Sequence, residues 1–465
     1  MTVQPRARAV DLLRRDLTGQ VLLPADAGYE SARRIWNAAI TTQPALVVQV
    51  ADELDVARTV RWAAAEGLQV ALRGGGHNIA GTALLEGGVT VDMRGLTEVA
   101  VDPPSRRVSA GAGLTWEALD HATQAHGLAT PGGVVPATGI AGLTLGGGYG
   151  WLSRAYGWTC DNLVGARLVA ADGSTVAAGE SEDPELLWAL RGGGGNLAAV
   201  TSMTFRLHVV PDVFRSVAIV SLERAREAVA ECREILADAS DGLGMVLGFV
   251  PRPQSAPGTG GHVLRVGICD LGPHEGAAAA DRVAARVPVL HEVRGRVPYE
   301  TLQALLAAGG ELGLGHYSKS RFLMELDDEC VDRLVESTHR AGPRSRIVVH
   351  GLGGAIARPD ALGAAFGHRE AVVNLQIDAT WVPGEEPGPH VAWARHLYAA
   401  TAPWGSGGTY VNFLGGDEGE AGLRAAFAPE DLHRLQTVQL RLDPDNIFHQ
   451  LTSDATSRKR SHDVH

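Results

Sequence analysis

Three stretches of the chain set glycines in runs beside basic or amide side chains. The first is Arg73-Gly74-Gly75-Gly76-His77-Asn78. The second spans 139–150 and includes Gly139, Gly142, Gly147 and Gly148. The third is Arg191, four glycines and Asn196. Without Cβ atoms, such loops expose several backbone N–H groups, and a concave set of these donors suits an anion such as a pyrophosphate. A single glycine run marks a loop. Three long runs in one half of a chain point to a large ligand lying across the backbone. Arg73 and Arg191 can each pair with phosphate there, or stand as ordinary surface arginines. Glycine supplies 58 of 465 residues, against a usual share of about 7%, and no collagen period accounts for the excess.

Other chemical motifs are absent or incomplete. Gly111-Ala112-Gly113 begins a dinucleotide fingerprint, but Trp116 stands where the third glycine belongs, so a tight turn is the better reading. There is no GxxxxGK[ST] loop and no GxSxG elbow. His121 and His126 are five apart, which places them on different helix faces and argues against a metal pair. Cys160, Cys232, Cys269 and Cys330 form no CxxC pair, which fits reduced thiols in a cytoplasmic protein. The formal charge of −12 argues against a uniformly basic nucleic-acid binder. It disfavours an anionic substrate only weakly, because a local field can oppose the total. No signal peptide and no membrane span are expected, and the basic run at 457–461 reads as a solvated tail.

These residues need elements to hold them. Strands are expected at 46–50, 70–72, 89–93, 108–110 and 200–207, with helices at 52–66, capped by Asp52, and at 115–126. Past Pro211 the pattern changes. Strand-like runs at 216–222, 245–250, 263–269, 321–326, 347–350 and 372–380 alternate with helical patterns at 223–238, 274–287, 327–341 and 388–402. The expectation is an α+β protein with a glycine-rich first domain at 1–210 (core about 40–210), a sheet covered by helices at 211–399, and a terminal segment at 400–465.

Taken together, the motifs resemble a known family. The tract from Arg73 to Gly81, Leu145-Gly146-Gly147-Gly148-Tyr149-Gly150, Asp161-Asn162-Leu163, the Arg191 tract, Tyr410-Val411-Asn412-Phe413 and Asp443-Pro444-Asp445-Asn446-Ile447-Phe448 are similar to those of berberine-bridge-enzyme-like FAD oxidases, within the vanillyl-alcohol-oxidase superfamily. The likeness runs over 37–448. It implies a PCMH-type FAD-binding domain in two sequence pieces, with an antiparallel-sheet substrate domain between them and FAD at their junction. His77 matches the histidine bonded to the flavin 8α carbon. Arg73, Gly74, Gly75, Gly76, Asn78, Thr138, Gly139, Gly142, Gly147, Gly148, Asn162, Val200, Asn412 and Asn446 fall at cofactor-contacting positions. Many relatives carry a second link through cysteine, and here Val135 takes that position, so one covalent bond is expected. Leu197-Ala198 replaces the usual Phe-Gly, and Leu451, Thr452 and Ser453 replace an asparagine-rich end.

The implied reaction moves a hydride from a C–H beside O or N to flavin N5, with dioxygen as acceptor and hydrogen peroxide as product. Tyr410 is the first candidate for the base, with Lys319 as a neighbouring cation. Its alternative is an ordinary strand aromatic. His350 is a candidate for the pocket wall or for a satisfied strand histidine, and Tyr149 for a residue at the flavin face or for simple packing. The partners implied are a small organic substrate and O2, and oligomeric state is open. The resemblance points to a tailoring oxidase of secondary metabolism, such as antibiotic biosynthesis. A dehydrogenase or oxygenase that makes no peroxide, or a non-catalytic flavin-binding protein, are the alternatives.

Overall fold

The computed structural model describes residues 5–195, 197–305 and 311–448. Asn196 and the expectations for 451–461 lie outside these residues. The first half holds two larger sheets and a two-stranded pairing of Leu128–Ala129 with His208–Val209. In one, Leu46–Gln49 and Val70–Arg73 run parallel to Val89–Asp92 between them, and Gln20–Leu22 pairs antiparallel at the edge. These strands are short and buried on both faces, as parallel strands are. Helix Glu53–Ala65 packs alongside. Asp52 starts it by accepting a hydrogen bond from the Asp55 N–H, and Val56, Val60 and Ala63 turn inward. The second sheet is antiparallel, in the order Val99–Asp102, Arg107–Gly111, Ala199–Arg206, Leu163–Val169, Thr175–Gly179.

The chain's end rejoins this half. Phe448 bridges Val70 in parallel and is fully buried in the core shared by the two sheets. The Val70 N–H donates to the Ile447 carbonyl at 2.7 Å, and the Asp443 carboxylate accepts from the Ile447 and Phe448 N–H groups.

The middle of the chain forms one antiparallel seven-stranded sheet. Its order is Val289–Pro298, Asp212–Val220, His262–Asp270, Leu243–Pro251, Arg346–Gly351, Val373–Trp381, Gly315–Leu323. Helices Ala225–Asp238, Glu275–Arg286, Asp328–Thr338 and Pro387–Ala400 cover one face, and a single apolar core lies under them.

Several strands depart from the sequence reading: Gln20–Leu22, Val99–Asp102, Leu163–Val169 and Thr175–Gly179 of the first half were not expected, and two strands of the seven-stranded sheet differ most. Val289–Pro298 was not anticipated. It is an edge strand, largely exposed, and its Arg294 and Arg296 carry no apolar alternation. Gly315–Leu323 starts six residues before the expected 321. His316, Ser318 and Ser320, on the face turned away from the helices, are polar, so apolar periodicity does not mark this stretch.

Phe448→Ala should lower the unfolding free energy by about 3–5 kcal/mol, as for a large aromatic removed from a packed core. The measurement is a urea titration, in which the midpoint falls with the slope unchanged.

Candidate functional site

The strand Val70–Arg73 ends in the loop that carries Gly74, Gly75 and Gly76. This loop meets the Thr138-Gly139 turn backbone to backbone. A Cβ on Gly75 would lie 2.3 Å from the Gly139 nitrogen, and one on Gly139 would lie 2.3 Å from the Gly75 nitrogen. Gly76 turns at φ 73°, a conformation that glycine adopts freely. Together with Gly142, Gly194 and Gly195, which have nothing within 4 Å of a built Cβ, these residues form one wall of a cavity of about 1830 Å³. Pockets for drug-sized ligands measure about 300–1,000 Å³, so this volume accommodates a dinucleotide and a second molecule. Asn78, Thr138, Val200, Asn412 and Asn446 line it too, as do Leu197 and Ala198.

Several expected cofactor contacts lie elsewhere. The Arg73 guanidinium donates to the Ala32 and Arg34 carbonyls and sits 3.9 Å from Asp92. It braces the N-terminal segment and does not line the cavity. Arg191 is fully buried against the Leu163 carbonyl and Asp360. Gly147 packs against Phe366, and Gly148 against Leu143 and Thr159. Asn162 holds the Tyr156 and Trp158 carbonyls and lies 2.7 Å from His208 Nε2. These four residues, Arg73, Gly147, Gly148 and Asn162, support the wall from behind. The Gly111-Ala112-Gly113 turn is a tight crossing, because Cβ atoms on its glycines would strike the Leu96 and Met93 carbonyls.

His77 faces the cavity and makes no hydrogen bond among the described residues. Burial pushes its pKa down to about 4, so the imidazole is neutral at pH 7. Trp36 stacks on it at 5.4 Å and on His316 at 3.7 Å. Trp36 and His316 were not read from the sequence. Val135 lines the cavity, and no cysteine does among the described residues. Cys160 is buried, with its thiol pKa pushed up by burial.

Tyr410 enters from the C-terminal segment, is nearly fully buried and lines the cavity. Its hydroxyl oxygen accepts hydrogen bonds from the Gly148 N–H and from Asn412 Nδ2, each at 2.8 Å. Asn412 fits because Gly146 has no Cβ, which would lie 2.1 Å from the amide oxygen. With both lone pairs engaged, the Tyr410 O–H is left to face a ligand. Burial raises its pKa, and the two donors pull it back towards ionisation. Lys319 does not supply a cation here. On its strand, side chains alternate between faces: Ser320 touches the Tyr410 N–H, whereas Lys319 turns away to Asp417 and Glu418 at 3.3 and 3.2 Å. Tyr149 donates to Asn374 Oδ1 at 2.9 Å. Its ring lies 4.7 Å from His350 and 5.2 Å from Tyr410.

The opposite wall is the uncovered face of the seven-stranded sheet. It presents Arg215, Arg265, Arg346, His350, Gln376, Asp378, Thr380 and His316. Burial lowers the pKa of His350 and of His316 to about 4. Most of these residues were missed, yet the sequence carries a signal for them. Asn374, Gln376, Asp378 and Thr380 alternate with Leu375, Ile377 and Ala379, so polar residues hold one face with period two.

Two family models match parts of the chain. Residues 44–179 match the FAD binding domain family, and residues 409–453 match the berberine and berberine-like family. The chain is 28% identical over 447 residues to (R)-6-hydroxynicotine oxidase of Paenarthrobacter nicotinovorans, covering 93% of this chain and 95% of that one. It is 26% identical to an FAD-linked oxidoreductase of Dictyostelium discoideum, covering 90% of each. The fold superposes on a berberine-bridge-enzyme-like protein of Physcomitrella patens with a TM-score of 0.85 at 22% identity, covering 96% of this chain and 98% of that one.

The buried neutral histidines set a pH limit. His77, His208, His316 and His350 all have a folded pKa of about 4, lowered chiefly by burial, against about 6.5 when unfolded. Above that value they are neutral in both states and stability is flat. As pH falls from about 6.5 towards 4, the unfolded chain takes up protons that the folded one does not, so stability drops. Calorimetric melting temperatures should be level from pH 8 to about 7 and decline below about 6.5.

Proposed function

We propose that this chain, an FAD-linked oxidoreductase of the berberine-bridge-enzyme-like flavoprotein family, oxidises a C–H beside oxygen or nitrogen in a small organic substrate, with FAD linked through His77 and dioxygen as the acceptor. The observation that carries this is the meeting of three groups on one cavity: side-chain-free glycine loops, a neutral His77, and a Tyr410 hydroxyl with both lone pairs occupied. Bound FAD would supply the hydride acceptor.

The chain's own residues do the rest. Gly74, Gly75, Gly76, Gly139 and Gly142 would hold the cofactor by close backbone approach, with Thr138, Val200, Asn412 and Asn446 beside it. A neutral imidazole is the nucleophilic form that a bond from His77 requires. Tyr410 would exchange a proton with the substrate heteroatom. The N–H groups of Gly148 and Asn412 stabilise its oxygen as charge develops, which is the work a neighbouring cation was expected to do. His350 and Tyr149 shape the floor next to Tyr410. The sheet wall and the volume beyond the glycine loops would take a substrate of some bulk, as suits a secondary-metabolite tailoring oxidase.

Acid-precipitated wild-type protein should retain flavin absorption, and His77→Ala should release flavin to the supernatant. Cys160→Ala should keep flavin attached. Retention by the His77 variant would assign the link elsewhere. Oxygen uptake that gives equimolar peroxide supports the oxidase reading, and uptake or turnover without peroxide assigns another acceptor or oxygen insertion.

Tyr410→Phe should load flavin normally. Its limiting rate of anaerobic flavin reduction, followed by stopped-flow absorption, should fall by roughly 10²–10⁴-fold, the usual loss for a general acid–base group. An unchanged rate would leave Tyr410 with a packing role.

A further inference from the structure

The cavity face of the seven-stranded sheet carries two neighbouring arginines with different surroundings. Arg346 is level with Asp378 on the next strand, and its Nε donates to Asp378 Oδ2 at 3.0 Å. That carboxylate also accepts from Ser318 Oγ and from the Gln376 amide. Its charge is therefore fully engaged. Arg265 is level with Ile219 on one side and Gly248 on the other. It lines the cavity, and its guanidinium has neither a hydrogen bond nor an ion pair among the described residues. A Cβ built on Gly248 would lie 3.4 Å from Arg265 Nη2 and 3.6 Å from its Nε, so the guanidinium rests over a position with no side chain. Burial and the charge of Arg346 lower its pKa to about 10, and it stays cationic at pH 7.

Arg215, on the adjacent strand, also faces the cavity, and its Nε is buried without a partner. The other acids lining the cavity, Glu311, Glu420, Asp443 and Asp445, lie off the sheet. The floor thus holds three arginines against one aspartate that is already spoken for. A half-buried cation that faces a cavity with no counter-ion keeps its charge uncompensated. Its persistence here is explained if an anion arrives with the ligand.

We propose that Arg265 is the anchor for a carboxylate carried by the substrate, with Arg215 adding to the positive potential of the floor. The flat guanidinium offers two parallel N–H donors, which match the two oxygens of a carboxylate. The cavity's low dielectric strengthens that pair. The substrate class is therefore a small organic acid, in a protein whose total charge is −12. The local field of the floor opposes the total and draws the anion in. This rests on the proposed function, in which the substrate occupies the sheet side of the cavity while the glycine loops hold FAD.

The test is calorimetric titration of the holoenzyme with matched probes: benzoate against benzamide, and phenylacetate against phenylacetamide. Each carboxylate should bind about tenfold or more tightly than its amide at low salt, and the margin should shrink as salt is raised. Arg265→Gln should bring each pair to within about twofold. Arg265→Lys keeps the charge but loses the fork, so its carboxylate affinity should fall between the other two while amide affinity stays level. Equal binding of acid and amide by the wild type, absence of carboxylate binding, or an unchanged margin in the Gln and Lys variants overturns the anchor. Flavin content, read separately on the same samples, tells the two readings apart. A colourless protein that still prefers the carboxylate loses the oxidoreductase reading and keeps the anchor. A yellow protein with no preference does the reverse.

Discussion

The contact between Gly75 and Gly139 is the constraint on which the cavity depends. Two loops from different parts of the chain approach until a Cβ on either would lie 2.3 Å from the other's backbone nitrogen. Only glycine permits that separation, and it leaves a wall of bare backbone. Side chains there would have filled the space a dinucleotide needs. The same economy recurs at Gly146, where a missing Cβ admits the Asn412 amide, and that amide in turn fixes the Tyr410 hydroxyl. Close backbone packing thus reaches from the glycine wall to the Tyr410 hydroxyl in two steps.

The opposite wall follows different physics. A seven-stranded sheet covered by helices on one face ordinarily buries apolar residues on that face and turns polar ones to solvent. Here the polar face is turned to an enclosed cavity, where water screens it less and each charged or titratable group must be satisfied or held neutral. Asp378 is satisfied by Arg346, Ser318 and Gln376. His316 and His350 are held neutral by burial. Arg265 is neither. Departures from local satisfaction concentrate at functional sites, because a site must leave valences open for its ligand.

Much of this architecture was legible in the sequence, for identifiable reasons. The strands ending at Arg73 and Asp92 and the helix capped by Asp52 announce themselves through apolar periodicity and capping chemistry. The glycine loops, His77 and Tyr410 stand in motifs dense enough to read together. Arg73 shows where that reading fails. Its place beside the glycines implied a phosphate contact, but the side chain folds back onto the Ala32 and Arg34 carbonyls. A motif fixes a backbone position, and tertiary packing decides where a long side chain goes. Lys319 failed similarly: a place on a cavity strand does not set the face, and the alternation of the pleat turned it to the opposite face, against Asp417 and Glu418. The sheet wall was the least legible part, because Arg215, Arg265, His316, Arg346 and Asp378 come from five different strands and meet only after the sheet has formed.

The two walls also differ in how freely they can change. A residue in the Gly75–Gly139 contact is held by backbone on both sides, so nearly any substitution there opens the cradle. On the sheet wall, each position is a side chain projecting from a hydrogen-bonded ladder that does not depend on its identity. Arg265 can become another residue while the Gly248 and Ile219 backbones keep their pairing with its strand. A fold built this way keeps its cofactor chemistry on the rigid wall and adjusts substrate choice on the other. On that logic the proposed carboxylate preference belongs to the charge of the sheet wall rather than to the glycine wall.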